Sequence, residues 1–351
     1  MNHRIVSVLL ALLLVATILV ACAAPTAAPQ AAANAAPAAD KPMRTYYMIS
    51  SHQAHPYFAD SHLALRYASK YFNVKIIAAG PDGWDTKAQA DAIEAAIAKK
   101  PNGIITRMWD DSPAEAVKKA MAAGIPVVLT ETRTAVNPAL TYIGLDNYQC
   151  GRDTAAELIK RAGTKGKVAV MGNWGAANTD AKLKGFKDFL AENSEWVVVV
   201  EADDKAATAD AIEAAKSIFN NYPDVNAVVG LDSSSGTGIA TAMEELKIKP
   251  GSVKVVVHDR EPATLEFIDK GYIDATLINK TATDEYMGIL LMEDWNNGGL
   301  KNIPVSSDNV AAGVNPVPEN MYNTAAVIDK DNVKFFVAAN MPQIQSDLYN
   351  H

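Results

Sequence analysis

Two histidines three residues apart, His52 and His55, follow a short hydrophobic run early in the chain. A pair with this spacing binds zinc when both imidazoles converge and further residues complete the site. Pro56 biases His55 away from helical geometry, so the two rings need not share a face. Since no third ligand follows at a recognisable spacing, we expect no metal site here and a surface position for His52.

Motifs for covalent or phosphate chemistry are missing from the sequence. There is no G-x-S-x-G elbow, P-loop or H-E-x-x-H motif, and the glycines at 236 and 238 lack the third glycine of a dinucleotide-binding turn. We therefore expect no enzyme, no catalytic residue and no cofactor. Carboxylates that only folding brings together leave no motif in the sequence.

Polar and aromatic side chains instead recur directly after hydrophobic runs. Carboxylates that accept from hydroxyls, polar donors and aromatic rings that cover C–H faces together bind a neutral, hydroxyl-rich molecule such as a sugar. The candidates are the acceptors Glu131, Asp232 and Asp259, the donors Arg133 and Asn279, and the rings Tyr57, Trp109 and Trp174. For any single one, a helix cap or a solvated loop is an equal alternative, and Asp259 is a natural N-cap.

The elements that must position these side chains alternate along the chain. Runs such as 74–79, 126–130 and 253–258 are mostly apolar, as in strands covered on both faces, and 85–100 has apolar residues at helical spacing. This alternation predicts an α/β fold of parallel sheets with helices on both faces, in which ligands bind beyond the carboxyl ends of strands. The pattern breaks near 140–151 and then repeats, so we expect two similar Rossmann-like lobes that face each other.

The N-terminal 22 residues are typical of an export signal, with Arg4, an apolar stretch and then Cys22. Leu19–Cys22 resembles a bacterial lipobox, in which lipid is attached to the cysteine; an ordinary secretory signal with a chance cysteine is the alternative. A lipidated Cys22 would anchor the protein at a membrane face. Residues 23–43 are rich in Ala and Pro and should form a disordered tether.

The charge and the cysteine content of the sequence argue against a nucleic-acid-binding protein and against a disulfide-stabilised fold. The formal net charge of -8 includes no basic cluster, which argues against a nucleic-acid partner. Beyond the signal, Cys150 is the sole cysteine of the sequence, so the folded part cannot form an internal disulfide.

Several segments together resemble the periplasmic sugar-binding proteins of the ribose-binding type, which are solute-binding lipoproteins of ABC importers with the type I periplasmic binding protein fold. The resemblance extends over residues 44–300. Its marks are the segments HPYF (55–58), IEAAIAKKPNGII (93–105), AGIPVVLTETR (123–133), YIGLDN (142–147), KGFKDFL (184–190) and VVVHD (255–259).

The resemblance implies two lobes joined by a three-crossing hinge that close on one ligand. The crossings are expected near 133–146, 258–281 and 305–314. The N-terminal lobe would then contain 44–144 and about 281–307, and the C-terminal lobe 145–280 and about 308–345.

Carried over residue by residue, the resemblance implies a ligand contact for each residue that stands at or beside a ligand-contacting position of the family pattern, although several differ in type from the family's residue. These residues are His55, Tyr57, Phe58, Glu131, Arg133, Asp232, Asp259 and Asn279. Asp180, with Asn178 beside it, stands where the pattern has an arginine, and Ala206 stands where it has an aromatic residue, which argues against ribose itself. The extra acidic groups favour a neutral ligand, because a bound carboxylate would face unpaired negative charge.

The implied function is that of a monomeric, membrane-anchored extracytoplasmic receptor. It would capture a monosaccharide, either a pentose, a hexose or a related polyol, and deliver it to an ABC permease. In the alternative function, the same lobes sense a sugar or a sugar-derived signal such as autoinducer-2 and report to a chemoreceptor or kinase.

Overall fold

Strands and helices alternate through the part of the chain that the computed structural model describes, residues 42–303 and 314–337. The expected signal with Cys22, most of the tether, and the C-terminal lobe beyond residue 337 lie outside these residues. Within them, no helix is long and apolar enough to cross a membrane.

The first sheet has six strands, all paired in parallel. In chain order they are β1 (Thr45–Ile49), β2 (Lys75–Ala79), β3 (Gly103–Thr106), β4 (Val127–Thr130), β5 (Thr141–Leu145) and β11 (Asn320–Asn323). Their order across the sheet is β11-β5-β4-β3-β1-β2.

The second sheet repeats this plan with one change at its edge. Its strands are β6 (Lys165–Gly172), β7 (Glu195–Asp203), β8 (Ala227–Gly230), β9 (Lys254–His258), β10 (Ala275–Ile278) and β12 (Ala326–Asp329). The order is β12-β10-β9-β8-β6-β7, and β12 runs antiparallel to β10.

Helices cover both faces of each sheet. Those packed with the first sheet are α1 (Ala59–Phe72), α2 (Thr86–Ile97), α3 (Ala114–Ala122) and α9 (Thr281–Asn297). Those packed with the second are α4 (Asn147–Ala162), α5 (Ala177–Asn193), α6 (Thr208–Asn221), α7 (Ser233–Glu245) and α8 (Pro262–Lys270). Short 3-10 turns occupy Pro56–Phe58, Leu300–Asn302 and Val333–Phe335.

Two-sided burial explains the continuous apolar runs. In β3, Ile105 packs into the core formed with α1 and α9, whereas Ile104 packs into the core formed with α2 and α3. Successive side chains of a strand point to opposite faces, so both must be apolar when helices cover both. The predicted α/β class with two similar helix-covered sheets is confirmed.

The chain passes between the sheets three times within the described residues. It leaves the first sheet after Leu145, returns after Ile278, and leaves it again between Asn323 and Ala326. The assignment of everything beyond about residue 308 to the second lobe is wrong for Asn320–Asn323, because this strand pairs with β5 in the first sheet. The last crossing therefore follows Asn323 and not the expected segment 305–314.

Candidate functional site

A cavity of about 430 Å³ lies between the two sheets, where the loops leave the carboxyl ends of their strands. The loops of the first sheet contribute His52, His55, Tyr57, Phe58, Trp84 and Trp109. The loops and helix starts of the second sheet contribute Asn173, Ala176, Asn178, Thr179, Lys182, Lys205, Ala206, Asp232, Ser233 and Asp259. This is the position that parallel strands predict for a ligand.

Seven of the twelve predicted ligand-binding residues line the cavity: His55, Tyr57, Phe58, Trp109, Asn178, Asp232 and Asp259. The other five do not: Glu131, Arg133, Trp174, Asp180 and Asn279.

Asp232 begins α7 and keeps one oxygen available. Its Oδ1 accepts from the backbone N–H groups of Ser234 and Ser235, both at 3.0 Å, as an N-cap does. Its Oδ2 is buried without a hydrogen-bond partner among the described residues. The helix cap and the ligand-binding role, which were alternatives in the sequence, are therefore compatible in one carboxylate.

Behind Asp232 lies a second carboxyl group, Asp204, which is fully buried. Ser235 Oγ donates to Asp204 Oδ2 at 2.5 Å. Burial, and then the neighbouring charge of Asp232, raise the pKa of Asp204 to about 8. Asp204 is therefore largely protonated at neutral pH.

Asp259 presents its carboxylate to the cavity from the end of β9. Its backbone is in the left-handed region at φ 70°, an uncommon conformation for a residue other than glycine. We find no donor to its carboxylate within the described part of the chain. Burial raises its pKa to about 7, while the charge of Lys182 opposes the shift.

Lys182 supplies a buried cation that the sequence analysis missed. It is 5% exposed, and its Nζ donates to the carbonyl of Leu231 at 3.2 Å. Thr179, Lys182 and Phe186 are all buried on α5, at the spacing of one helix face. That spacing is the signal that could have identified Lys182.

The structure does not place Asp180 or Trp174 in the cavity, although the sequence predicted a ligand contact for each. Asp180 lies on the exposed side of α5 and accepts from the Gly175 backbone N–H at 3.0 Å, so it holds a turn together. Trp174 packs against the core formed by α4, α5 and the second sheet. Neither side chain lines the cavity.

Glu131 has both carboxylate oxygens occupied by protein donors. Tyr57 Oη donates to Oε2, and Asn279 Nδ2 donates to Oε1 at 2.7 Å. Asn279 follows β10 of the second sheet, so this contact links the two halves where the chain passes between them. Arg133 is also held by protein groups, at 3.1 Å from the Thr134 carbonyl and 3.4 Å from Tyr322 Oη. Glu131, Arg133 and Asn279 therefore stabilise the region where the chain passes between the two sheets, and none of the three lines the cavity.

His55 faces the cavity as a hydrogen-bond donor. Its Nδ1 accepts from the Tyr57 backbone N–H at 3.2 Å, and burial lowers the pKa of the imidazole. The neutral ring then carries its proton on Nε2. The ring of His52 lies 5.0 Å away between centroids, and among the described residues no group of three or more His, Cys, Asp or Glu could hold a metal ion.

Aromatic rings run from the buried side of the cavity to solvent. Phe58 lies 6.4 Å from Trp109, and Trp109 lies 5.4 Å from Trp84, measured between ring centroids. Phe58 is 3% exposed, Trp109 8% and Trp84 48%. Trp84 was missed because it lies in a loop of glycine, proline and acidic residues five positions after β2.

We expect the ligand-free protein to be more stable at low pH than at high pH. Burial raises the pKa of Asp259 to about 7 and those of Asp204 and Asp284 to about 8. These three carboxyl groups therefore bind more protons in the folded state than in the unfolded state from about pH 4 to about pH 8, and their contribution to stability falls as pH rises through that window. Buried His258, whose pKa is lowered well below its ordinary value, opposes this trend only in the acidic part of the window. Urea unfolding at about pH 5 and about pH 9 measures the difference. A larger free energy of unfolding at the higher pH would contradict this assignment.

Comparison with known proteins identifies the family. The family model of the periplasmic binding protein domain matches residues 46–298. A xylose/arabinose-binding protein of Sulfolobus acidocaldarius is 25% identical over 241 residues, which are 63% of this chain and 58% of that protein. The ribose import binding protein of Bacillus subtilis is 25% identical over 244 residues, 67% of this chain and 78% of that protein.

Solved structures agree with the sequence relatives. The structure of an arabinose-binding protein from Geobacillus stearothermophilus is 27% identical, with a TM-score of 0.73, and the match covers 85% of this chain and 100% of that one. The two helix-covered sheets, the cavity at their strand ends and the match over residues 46–298 lead to one conclusion. The chain belongs to the periplasmic binding protein domain family.

Proposed function

We propose that the protein is the extracytoplasmic solute-binding component of an ABC importer. It captures a monosaccharide, either a pentose, a hexose or a related polyol, and presents it to a membrane permease. The observation that carries this proposal is a single cavity lined by the carboxylates of Asp232 and Asp259 and by the aromatic rings of Phe58 and Trp109, in which Asp232 Oδ2 has no hydrogen-bond partner among the described residues. The names of the relatives, which bind xylose, arabinose or ribose, support the same class.

The polar atoms of the cavity match the hydroxyl groups of a sugar. Asp232 Oδ2 and Asn178 Oδ1 are acceptors without a protein partner, and Trp109 Nε1 is a donor without one among the described residues. A hydroxyl both donates and accepts, so one ligand can satisfy groups of both kinds. Leaving such buried groups unpaired costs free energy, which ligand binding recovers.

Closure of the two halves on the ligand forms part of the proposal. Arg260, at the end of β9, makes an ion pair with Asp60 of α1, and the Ala177 N–H donates to the Trp109 carbonyl at 3.2 Å. Both contacts join the two sides of the cleft. Ligand affinity then depends on how strongly the sugar stabilises the closed arrangement over the open one.

We also propose that Cys22 is lipidated and that the monomeric protein is anchored on the outer face of the cell membrane or in the periplasm. The lipobox-like Leu19–Cys22 supports this proposal. Mass spectrometry of the N-terminal peptide from membrane fractions tests it, and an unmodified Cys22 there would refute the anchor. No observation among the described residues favours the signalling alternative.

Isothermal titration calorimetry against a panel of neutral sugars and polyols tests the function. We expect at least one to bind with high affinity and to be recovered unchanged, since we propose binding without turnover. Mass spectrometry of ligand that co-purifies with the native protein would identify it directly. A natively folded protein that binds no member of the panel would refute the function.

Replacing His55 with alanine is expected to weaken sugar binding about tenfold, because one donor to the ligand is lost. The fold should persist, since His55 makes a single hydrogen bond to the backbone of Tyr57. Calorimetry measures affinity, and circular dichroism checks the fold. The matched variant His55→Asn keeps a donor and should retain most of the affinity; unchanged binding in His55→Ala would remove His55 from the site.

A further inference from the structure

We propose that the cavity contains a second, outer carbohydrate subsite built on Trp84. In this subsite, a sugar ring that is glycosidically linked to the inner ring stacks on the Trp84 indole. The ligand class then includes disaccharides as well as the monosaccharide, and this inference rests on the proposed function.

The cavity has a buried end and an exposed end. The carboxylates of Asp232 and Asp259 and the cation of Lys182 are all less than a tenth exposed, so they form the inner part. Trp84 and Lys205 line the same cavity yet are exposed. The groups that would bind hydroxyls most strongly are thus concentrated at the inner end, and the outer end is dominated by an apolar ring.

Trp84 exposes a large apolar surface at the opening of the cavity. About half of the side chain is accessible, and its ring lies tilted at 53° to Trp109, at a centroid distance of 5.4 Å. The two indoles therefore continue the aromatic row that begins at Phe58, with one platform inside and the next outside. An accessible aromatic ring that lines a cavity can cover the C–H face of a sugar ring.

The loop of the second sheet that contains Lys205 and Ala206 leaves space for a second sugar ring at the outer end of the cavity. Lys205 and Ala206 both have φ 53°, and Asp203 and Asp204 accept from their backbone N–H groups at 2.9 and 3.1 Å. This loop lines the cavity with the small side chain of Ala206. A volume of about 430 Å³ falls in the range of sites that hold drug-sized ligands, which exceed a single sugar ring in size.

The charge at the outer end indicates a neutral second ring. The ammonium group of Lys205 lies 2.8 Å from Asp210, so its charge is balanced by the protein. A neutral sugar ring with an apolar C–H face fits the indole of Trp84 without requiring a further counter-charge.

Calorimetry with matched pairs of probes tests the outer subsite. The pairs are D-xylose with xylobiose, and D-glucose with cellobiose. For at least one pair, we expect the disaccharide to bind about tenfold more tightly than the monosaccharide. The substitutions Trp84→Ala, which removes the platform, and Ala206→Trp, which fills the space, should each reduce the ratio of disaccharide to monosaccharide affinity about five- to tenfold.

A remote aromatic residue provides the control. Tyr71 is exposed on α1 and does not line the cavity, so Tyr71→Ala should leave the ratio unchanged. If monosaccharides bind and disaccharides bind much more weakly, or if Trp84→Ala leaves the ratio unchanged, the subsite is refuted and the proposed function stands. If neither member of any pair binds and the wider sugar panel also fails, the proposed function is refuted together with the subsite.

Discussion

Replacing Asp259 with asparagine is expected to weaken sugar binding about 100-fold, because the ligand loses a buried, charged acceptor. The Asp259 carboxylate receives no hydrogen bond from the described protein, whereas the Glu131 carboxylate receives two. The oxygens of Asp259 are therefore available to two hydroxyls of one sugar. An amide keeps one acceptor and replaces the other with a donor, so a bidentate contact to two donating hydroxyls is lost.

The folded state should tolerate this substitution. Asparagine adopts the left-handed backbone more readily than most residues, which suits φ 70° at this position. Burial raises the pKa of Asp259 to about 7, so the ionised group destabilises the ligand-free fold at high pH. We expect Asp259→Asn to be as stable as the parent protein at low pH and more stable above pH 7.

Calorimetry and urea unfolding on the same samples separate the two effects. Asp269→Asn is the matched control, because Asp269 is exposed on α8 and pairs with Lys330 far from the cavity lining. The control should bind sugar normally. Full affinity in Asp259→Asn would remove this carboxylate from the site, and a strong loss of stability would assign it a structural role instead.

Asp259 and Glu131 show how two equivalent positions acquire different roles. Each follows the carboxyl end of a central strand, β9 or β4, and each has a positive φ, 70° and 68° respectively. Such an uncommon backbone conformation is found most often at binding sites. Tyr57 and Asn279 donate to the carboxylate of Glu131. No residue in the described part of the chain donates to the carboxylate of Asp259, which lines the cavity.

This difference explains why the site was only partly predictable. The position of an acidic residue after an apolar run predicts that it lies at the edge of the sheet where ligands bind, and Asp232 and Asp259 line the cavity at this edge. Whether its oxygens face a ligand depends on donors from distant segments. For Glu131 these donors are Tyr57 and Asn279, which are separated from it by 74 and 148 positions.

The fold was more predictable because burial imposes a local pattern. Adjacent apolar residues such as Ile104 and Ile105 mark a strand that is covered on both faces. The edge strand Asn320–Asn323 has no such pattern, since its residues are polar or partly exposed. Its pairing with β5 is determined by tertiary contacts, which is why the boundary near residue 308 was wrong.

Replacing Arg107 with methionine is expected to lower the free energy of unfolding by about 3–5 kcal/mol, because it leaves a buried carboxylate without its cation. Arg107 and Glu285 are both fully buried, and Nη2 of the arginine lies 2.5 Å from Oε1 of the glutamate. Nη2 also donates to Ser61 at 3.0 Å. Burial raises the pKa of Glu285 and the charge of Arg107 opposes that shift, so the substitution raises this pKa further.

The pH dependence and a double variant test this assignment. The loss of stability should be smaller at low pH, where Glu285 is protonated in both states, and Glu285→Gln combined with Arg107→Met should recover much of it. Lys118→Met removes an exposed ion pair with Glu115 and should cause no measurable change. Urea unfolding provides the measurement, and a loss independent of both pH and the second substitution would assign the effect to packing instead.

Arg107→Met is also expected to affect the cavity, because Arg107 contacts one of the rings that line it. The Arg107 guanidinium lies 4.3 Å from the centroid of the Phe58 ring, which is the buried start of the aromatic row. Without it, Phe58 loses a cation–π contact that holds it against the cavity. Arg107→Met should therefore also weaken sugar binding under conditions in which the variant remains folded, whereas Lys118→Met should not.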